Sequence, residues 1–220
     1  MKCPICQKEM KVAGKDISND FKTGQNIIVP SITARVATLG VIRKSQQKLK
    51  RIDMRLKEYE QSLSSPLRQA TVTLLLRDNE VLLAMKKRGF GMGKWNGVGG
   101  KQNPGEEIVD TAAREAEEEI GVKPLNLKKV AVFNYLFPDH EGWGQQVHIF
   151  TTTKWEGEPI ESEEMKPKWF RIEEVPFGEM WVDDEVWMPK VFAGALVRGS
   201  FMFGKDEKID EYHMEEVDIL

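Results

Sequence analysis

The sequence predicts an α+β domain, a mostly antiparallel or mixed sheet flanked by helices, carried behind a smaller basic appendage. Three observations predict it. Apolar, partly β-branched runs recur from residue 70 onward, separated by turn residues and one long glycine-rich stretch. Ile108, Ala112, Ala116 and Ile120 recur every four residues, the apolar stripe of a helix laid on those strands. Net charge also changes sign along the chain. Residues 1–69 hold 14 Lys+Arg against 6 Asp+Glu, a balance of +8, whereas residues 70–220 hold 18 against 29, a balance of −11. The change falls at the polar stretch "QSLSSPLRQ", so a boundary is placed at Pro66. A chain of 220 residues suffices for one well-cored domain and an appendage.

The appendage divides again. Residues 1–40 open with "CPIC", half of the ligand set of a zinc ribbon. A structural zinc site needs four ligands. No second CxxC follows, and His140, His148 and His213 are far away in sequence. Cys3 and Cys6 are therefore candidate zinc ligands in a degenerate, zinc-ribbon-like segment, and the favoured reading is that they bind nothing. Two cysteines this close do not make a disulfide framework. In residues 41–65, Ile42, Ser45, Leu49, Ile52, Leu56, Tyr59 and Leu63 alternate spacings of three and four. That is a heptad seam, predicting a helix from about Arg43 to Leu63 that stops before Pro66. The seam has two uses open to it: packing on the domain that follows, or pairing two chains into a homodimer, which would bring two CPIC knuckles together. A basic arm is more often only solvated, so nucleic acid is not an expected partner. No apolar run is long enough to span a membrane, and the start lacks a signal-peptide core, so a cytoplasmic location is expected.

Residues 66–220 are read as the main domain, and a fragment of that span is expected to fold and to keep the activity. "ATVTLLL" and "EVLLAM", joined by "RDN", read as a hairpin. "GFGMGKWNGVGGKQNPGEE" is a glycine-rich loop, and "EEIVDTAAREAEEEIG" is a helix ended by Gly121. "KKVAVFNYLF", "QVHIFTTTKW" and "MKPKWFRI" are further strands. On the helix, Glu115, Glu118 and Glu119 sit at i, i+3 and i+4 and share a face. Like charges so placed repel by a few tenths of a kcal/mol. A polyanionic substrate would add to the repulsion unless divalent cations lay between, and a hard ion such as Mg²⁺ takes carboxylate and phosphate oxygens together.

The spacing from Gly100 through Glu106 to "REAEEEIGV" is Gx5Ex7REUxEExGU, filled to Val122 with only the small Ala116 at a position where a larger aliphatic is usual. It resembles the signature of the Nudix hydrolases. The resemblance implies the Nudix fold and cleavage of a nucleoside diphosphate linked to another group, with Mg²⁺ or Mn²⁺ as cofactor. It also implies that Glu115, Glu118 and Glu119 bind metal or act as base, with the Gly99 carbonyl as a further ligand. Which of Glu115 and Glu118 takes the proton stays open. Gly100, Glu106 and Arg114 take structural roles by the same resemblance, the last two as an ion pair.

Outside the box, "LLAMKKRGFGMGKWNGVGGK", "ESEEMKPKWF" and "VPFGEMWVDDEVWMP" resemble the animal members of that family that hydrolyse oxidised purine nucleoside triphosphates such as 8-oxo-dGTP and 2-hydroxy-dATP. That implies a nucleoside triphosphate substrate and a base pocket of Thr71, Phe90, Asn96, Tyr135, Phe137, Trp181, Asp183, Asp184, Trp187 and Phe203. Lys86 would lie near sugar or phosphates, and Glu164 near the metal. The residues themselves fit such a pocket. Tryptophan faces stack a base for ~1–3 kcal/mol, and adjacent buried carboxyls resist joint ionisation, so one keeps a proton. Ala70, the pair Tyr135 and Phe137, Gln145, and the loop "PDHEGWGQQ" depart from the resemblance and bear on which purine is preferred. Two other readings are weighed: a Nudix hydrolase of another nucleotide, and a nucleotide-sensing regulator with a zinc ribbon.

Overall fold

The computed structural model describes residues 55–140, 142–204 and 208–220, and the backbone of two short strands at 16–19 and 26–29. Cys3, Cys6 and the first half of the heptad seam lie outside the described residues. The chain forms two units, Met1–Ile52 and Asp53–Leu220. In the first, β1 (Asp16–Asn19) pairs antiparallel with β2 (Asn26–Val29).

The second unit is built on one mixed sheet. Its strands are β3 (Arg68–Arg77), β4 (Glu80–Lys86), β5 (Trp95–Asn96), β7 (Lys128–Leu136), β8 (Gln145–Thr152), β10 (Met165–Arg171), β11 (Leu196–Phe203) and β12 (Ile209–Val217), in the order β10-β4-β3-β8-β7-β11-β12 with β5 added on β4. β3 runs parallel to β8 and β7 parallel to β11, and the other pairs are antiparallel. The expected hairpin of β3 and β4 forms, but it pairs only from Leu75 to Arg77. Beyond Leu75 the two strands part, and residues 95–101 fill the opening through bridges of Thr73 with Val98 and of Ala70 with Lys101. A small separate ribbon joins β6 (Lys123–Leu125) to β9 (Lys154–Glu156).

Alternation along each strand sends side chains to two faces. On one face, Leu74, Leu83, Phe133, Ile149 and Phe201 pack against Trp187, Met188 and Val191 of helix α3 (Asp184–Phe192). The sequence reading drew no helix there. Pro189 stands inside it and cannot donate to the Glu185 carbonyl, so this short helix lacks one internal hydrogen bond. On the other face, Leu75, Leu82 and Ala84 receive Ala116 and Ile120 of helix α2 (Ile108–Ile120). The smallness of Ala116 lets the helix lie close. Gly121 ends α2 at φ 74°, and its N–H closes on the Glu117 carbonyl.

Residues 55–62 are helical, here α1, and lie on the same face of the sheet as α2. Leu56 of the seam is buried against Leu136 and Met202, with Tyr59 and Leu63 beside it. Glu60 accepts hydrogen bonds from Asn134 and Ser200, and Arg55 pairs with Glu211 at 3.3 Å. This half of the seam is thus engaged within the chain, and the compact unit starts ahead of Pro66. Leu56→Ala in the full chain is expected to lower unfolding free energy by about 2–5 kcal/mol, the cost of a leucine-sized cavity. Urea unfolding measures it, and an unchanged midpoint would mean that α1 contributes no stability.

Candidate active site

A cleft of about 790 Å³ opens between the glycine-rich loop, the start of β3 and the start of α3. Its two ends differ in chemistry.

At the first end α2 meets the turn at Gly99 and Gly100. Glu119, 5 % exposed, accepts the Gly99 N–H at 3.0 Å and Lys86 Nζ at 3.1 Å. Burial pushes its carboxyl above the usual carboxylate range, against the pull of Gly99 and Lys86. A side chain at Gly99 would strike the Thr71 carbonyl, and one at Gly100 would strike the Glu115 carboxylate. Both positions therefore exclude any Cβ, which is a close-approach requirement. Arg114 is the hub of this end. It binds Glu106 through Nε at 2.8 Å, Glu115 at 2.8 Å, Glu118 at 3.1 Å and the Lys101 carbonyl at 3.1 Å. The guanidinium beside Glu106, helped by the Asn103 N–H, holds that carboxyl down at about 2. Glu164 lies across the cleft, held below the usual range by Arg88, with Lys86 Nζ 3.5 Å away.

Among the described residues, no group of three His, Cys, Asp or Glu side chains is arranged to hold a metal ion as it stands. Instead two cations, Arg114 and Lys86, divide the three helix carboxylates between them. The donor set fits a hard divalent ion: three carboxylates within one helical turn, a backbone turn without side chains, and a Lys86 ammonium whose move to a phosphate would free a Glu119 oxygen.

At the other end the walls are aromatic. Tyr135, Trp181, Trp187 and Phe203 line the cleft with Asp183 and Asp184 between them. Asp183 Oδ2 accepts from Tyr135 Oη at 2.7 Å and from Trp187 Nε1 at 3.2 Å. Asp184 accepts the Trp181 N–H at 3.2 Å. Burial raises both carboxyls, and Asp184 goes well above the usual range because Asp183 adds its charge. Two donors favour the charge on Asp183, while burial and that charge favour protonation of Asp184. Burial and the same neighbour push the Tyr135 hydroxyl up, so it stays a donor. Asn96 Oδ1 accepts the Gly97 N–H at 2.8 Å, leaving the amide NH₂ for a ligand. The Thr71 hydroxyl is buried at the cleft wall without a hydrogen-bond partner.

Of the residues singled out in the sequence, Phe137 is the one base-pocket candidate that does not line the cleft. It stands behind, stacked on Phe203 at 5.0 Å, because its place at the end of β7 turns it into the core. None of Glu115, Glu118 and Glu119 is on the cleft wall: Glu119 sits behind Gly99 and Lys86, Glu115 lies against Gly100, and Glu118 is exposed. The structure adds four cleft residues to which the sequence assigns no site role: Arg68, Arg88, Lys94 and Trp143. They sit on loops and strand ends, where periodicity carries no signal.

A raised Asp184 has a consequence for stability. The folded state holds this proton to a higher pH than the unfolded chain does, so its contribution is present below the unfolded value near 4 and declines as pH rises through the folded one. Asp184→Asn cannot ionise. Its stability relative to the parent is expected to grow from pH 4 toward neutrality, by up to ~1.4 kcal/mol per pH unit. Melting temperatures measured across pH test this, and a difference that stays flat would show Asp184 ionised in the fold.

The NUDIX domain family matches residues 66–191. Among known proteins, the oxidized purine nucleoside triphosphate hydrolase of Danio rerio is 43% identical over 150 residues, 68% of this chain and 96% of that protein. The protein of the same name from Mus musculus is also 43% identical, over 67% of this chain and 94% of its own. Among solved structures, a mutator MutT protein from Bacillus halodurans superposes with a TM-score of 0.61 at 29% identity, covering 68% of this chain and 98% of that one.

Proposed function

The chain belongs to the Nudix family, and from that membership we propose that it hydrolyses oxidised purine nucleoside triphosphates, 8-oxo-dGTP and 2-hydroxy-dATP among them, keeping damaged bases out of the nucleotide pool. The products are the monophosphate and diphosphate. One observation carries the reading. A single cleft runs from the Gly99–Gly100 turn, against whose back Glu119 and Glu115 of α2 lie, to a buried Asp183–Asp184 pair beside Trp181 and Trp187. The names of the animal relatives point the same way.

Nudix hydrolases use divalent metal ions. Here Mg²⁺, with Mn²⁺ as its substitute, is assigned to Glu115, Glu118, Glu119 and the Gly99 carbonyl, with Glu164 alongside. When bound, the ion neutralises phosphate oxygens and lowers the pKa of the attacking water. The rest falls to the chain. Lys86, which shares Glu119 and Glu164, turns to the phosphates. Arg114 keeps Glu115 and Glu118 in place, and one of these two accepts the proton of the attacking water. The water oxygen bonds to phosphorus, the P–O–P bridge breaks, and diphosphate leaves. At the base end, Asp183 accepts from a ring N–H and Asp184 donates its O–H, while Asn96 supplies an N–H and Trp181 a stacking face. Moving the shared proton between the two carboxyls would let one pocket read two oxidised purines.

Steady-state hydrolysis of 8-oxo-dGTP, 2-hydroxy-dATP, dGTP and a nucleotide sugar with Mg²⁺ tests the substrate. Preference for dGTP or the sugar would overturn it and leave the family untouched. Glu119→Gln is expected to lose two or more orders of magnitude in turnover, about 2.7 kcal/mol of barrier, while still melting as a folded protein. Near-normal activity would remove Glu119 from the metal set. Asp183→Asn and Asp184→Asn should each lower kcat/KM for oxidised purines, because buried partners are left unpaired. Their ratios between 8-oxo-dGTP and 2-hydroxy-dATP should shift differently across pH. Parent-like rates on every purine in both variants would show that the pair does not read the base.

A further inference from the structure

The loop "PDHEGWGQQ" departs from the family resemblance, and its indole reaches the cleft. Trp143 lines the cleft beside Phe90, edge to face at 5.0 Å. Phe90 in turn stacks on Trp181 at 4.9 Å with the rings 24° apart. Three separate loops thus meet in one aromatic row over the cleft.

The row is left open to solvent. Trp143 is 42% exposed, Phe90 51% and Val182, next to Trp181, 40%. Exposed large apolar groups gathered at a cleft mouth mark a contact waiting for a ligand. The indole is also held in orientation rather than left loose. Arg68 donates to the Gly142 carbonyl, tying the loop to the start of β3. The Trp143 N–H bonds the His140 carbonyl at 3.2 Å, and the His140 ring stacks on the indole at 4.3 Å. Gly144 packs against Leu67, whose side-chain end would have to shift to admit a Cβ there.

We propose that Trp143 is a specificity-determining residue that caps the bound base at the cleft mouth and favours the two-ring purine over the one-ring pyrimidine. The floor of the cleft offers hydrogen bonds at Asp183 and Asp184, and the mouth offers an aromatic cap. A base must reach both to gain from both, and the longer purine spans further. The inference rests on the proposed function in one respect: the base of the substrate occupies this cleft.

The test uses the full chain with Trp143→Ala and Trp143→Phe. Equilibrium dialysis against dGMP and dCMP reads the cap without turnover, and steady-state kinetics on 8-oxo-dGTP reads it with turnover. Trp143→Ala is expected to weaken dGMP binding and to raise KM for 8-oxo-dGTP by about tenfold, equivalent to ~1.4 kcal/mol and within the range of base–aromatic stacking. Its kcat and melting temperature should hold, dCMP binding should change by less than about twofold, and Trp143→Phe should restore most of the loss. Equal weakening for dGMP and dCMP, unchanged dGMP binding, or a fall in kcat with KM unmoved would each overturn the proposal. A parent that turns over no oxidised purine sinks the proposed function instead, and the dialysis ratio still decides the cap.

Discussion

The close approach of α2 to the backbone at Gly99 and Gly100 is the constraint on which the rest of the site depends. Neither glycine could carry a Cβ without striking Thr71 or Glu115. Only because that space is empty does the Gly99 N–H reach Glu119, and only because Ala116 is small does the helix sit low enough on Leu75 and Leu82. The same contact couples the two halves of the cleft. β3 runs from the Gly100 bridge at Thr71 directly to the parallel strand β8, whose neighbour β7 presents Tyr135 to Asp183.

Electrostatics at the helix follows from that packing. Three carboxylates within one turn would repel, and the fold answers with Arg114 and Lys86. Arg114 is itself fixed by Glu106 and the Lys101 carbonyl, so the glutamates are held by a cation that cannot drift. Such a bidentate, partly shielded network is worth more than exposed ion pairs such as Arg198–Glu215, which contribute little. The cluster is organised before any substrate arrives, which is what positioning for hydrolysis requires.

The base end works by the opposite device. There burial works to reduce the number of charges, with Lys94 as a cation acting on Asp184. Donors from Tyr135 and Trp187 favour charge on Asp183, while burial and that neighbouring carboxyl favour protonation of Asp184. One end of the cleft sets Lys86 and a turn without side chains beside the carboxylate helix, and the other sets aromatic rings around two buried carboxyls.

How much of this the sequence determined depends on range. The box from Gly100 to Val122 is local: an i, i+3, i+4 set of glutamates, an apolar stripe and a terminating glycine all fall within a few turns, so α2 and its acidic face were legible without a fold. So were the strand runs and the aromatic–acidic stretch around Asp183 and Asp184. Only the tertiary structure decided that Phe137 faces the core and that Leu56, Tyr59 and Leu63 rest on the back of the sheet. It also decided that Asp183 and not Asp184 takes the Tyr135 and Trp187 donors, and that Trp143 meets Phe90 over the cleft. Each of these depends on groups that come together from distant strands and loops. Periodicity reports which face of its own element a residue lies on, whereas burial, partners and pKa values are set by what the other elements bring to that face.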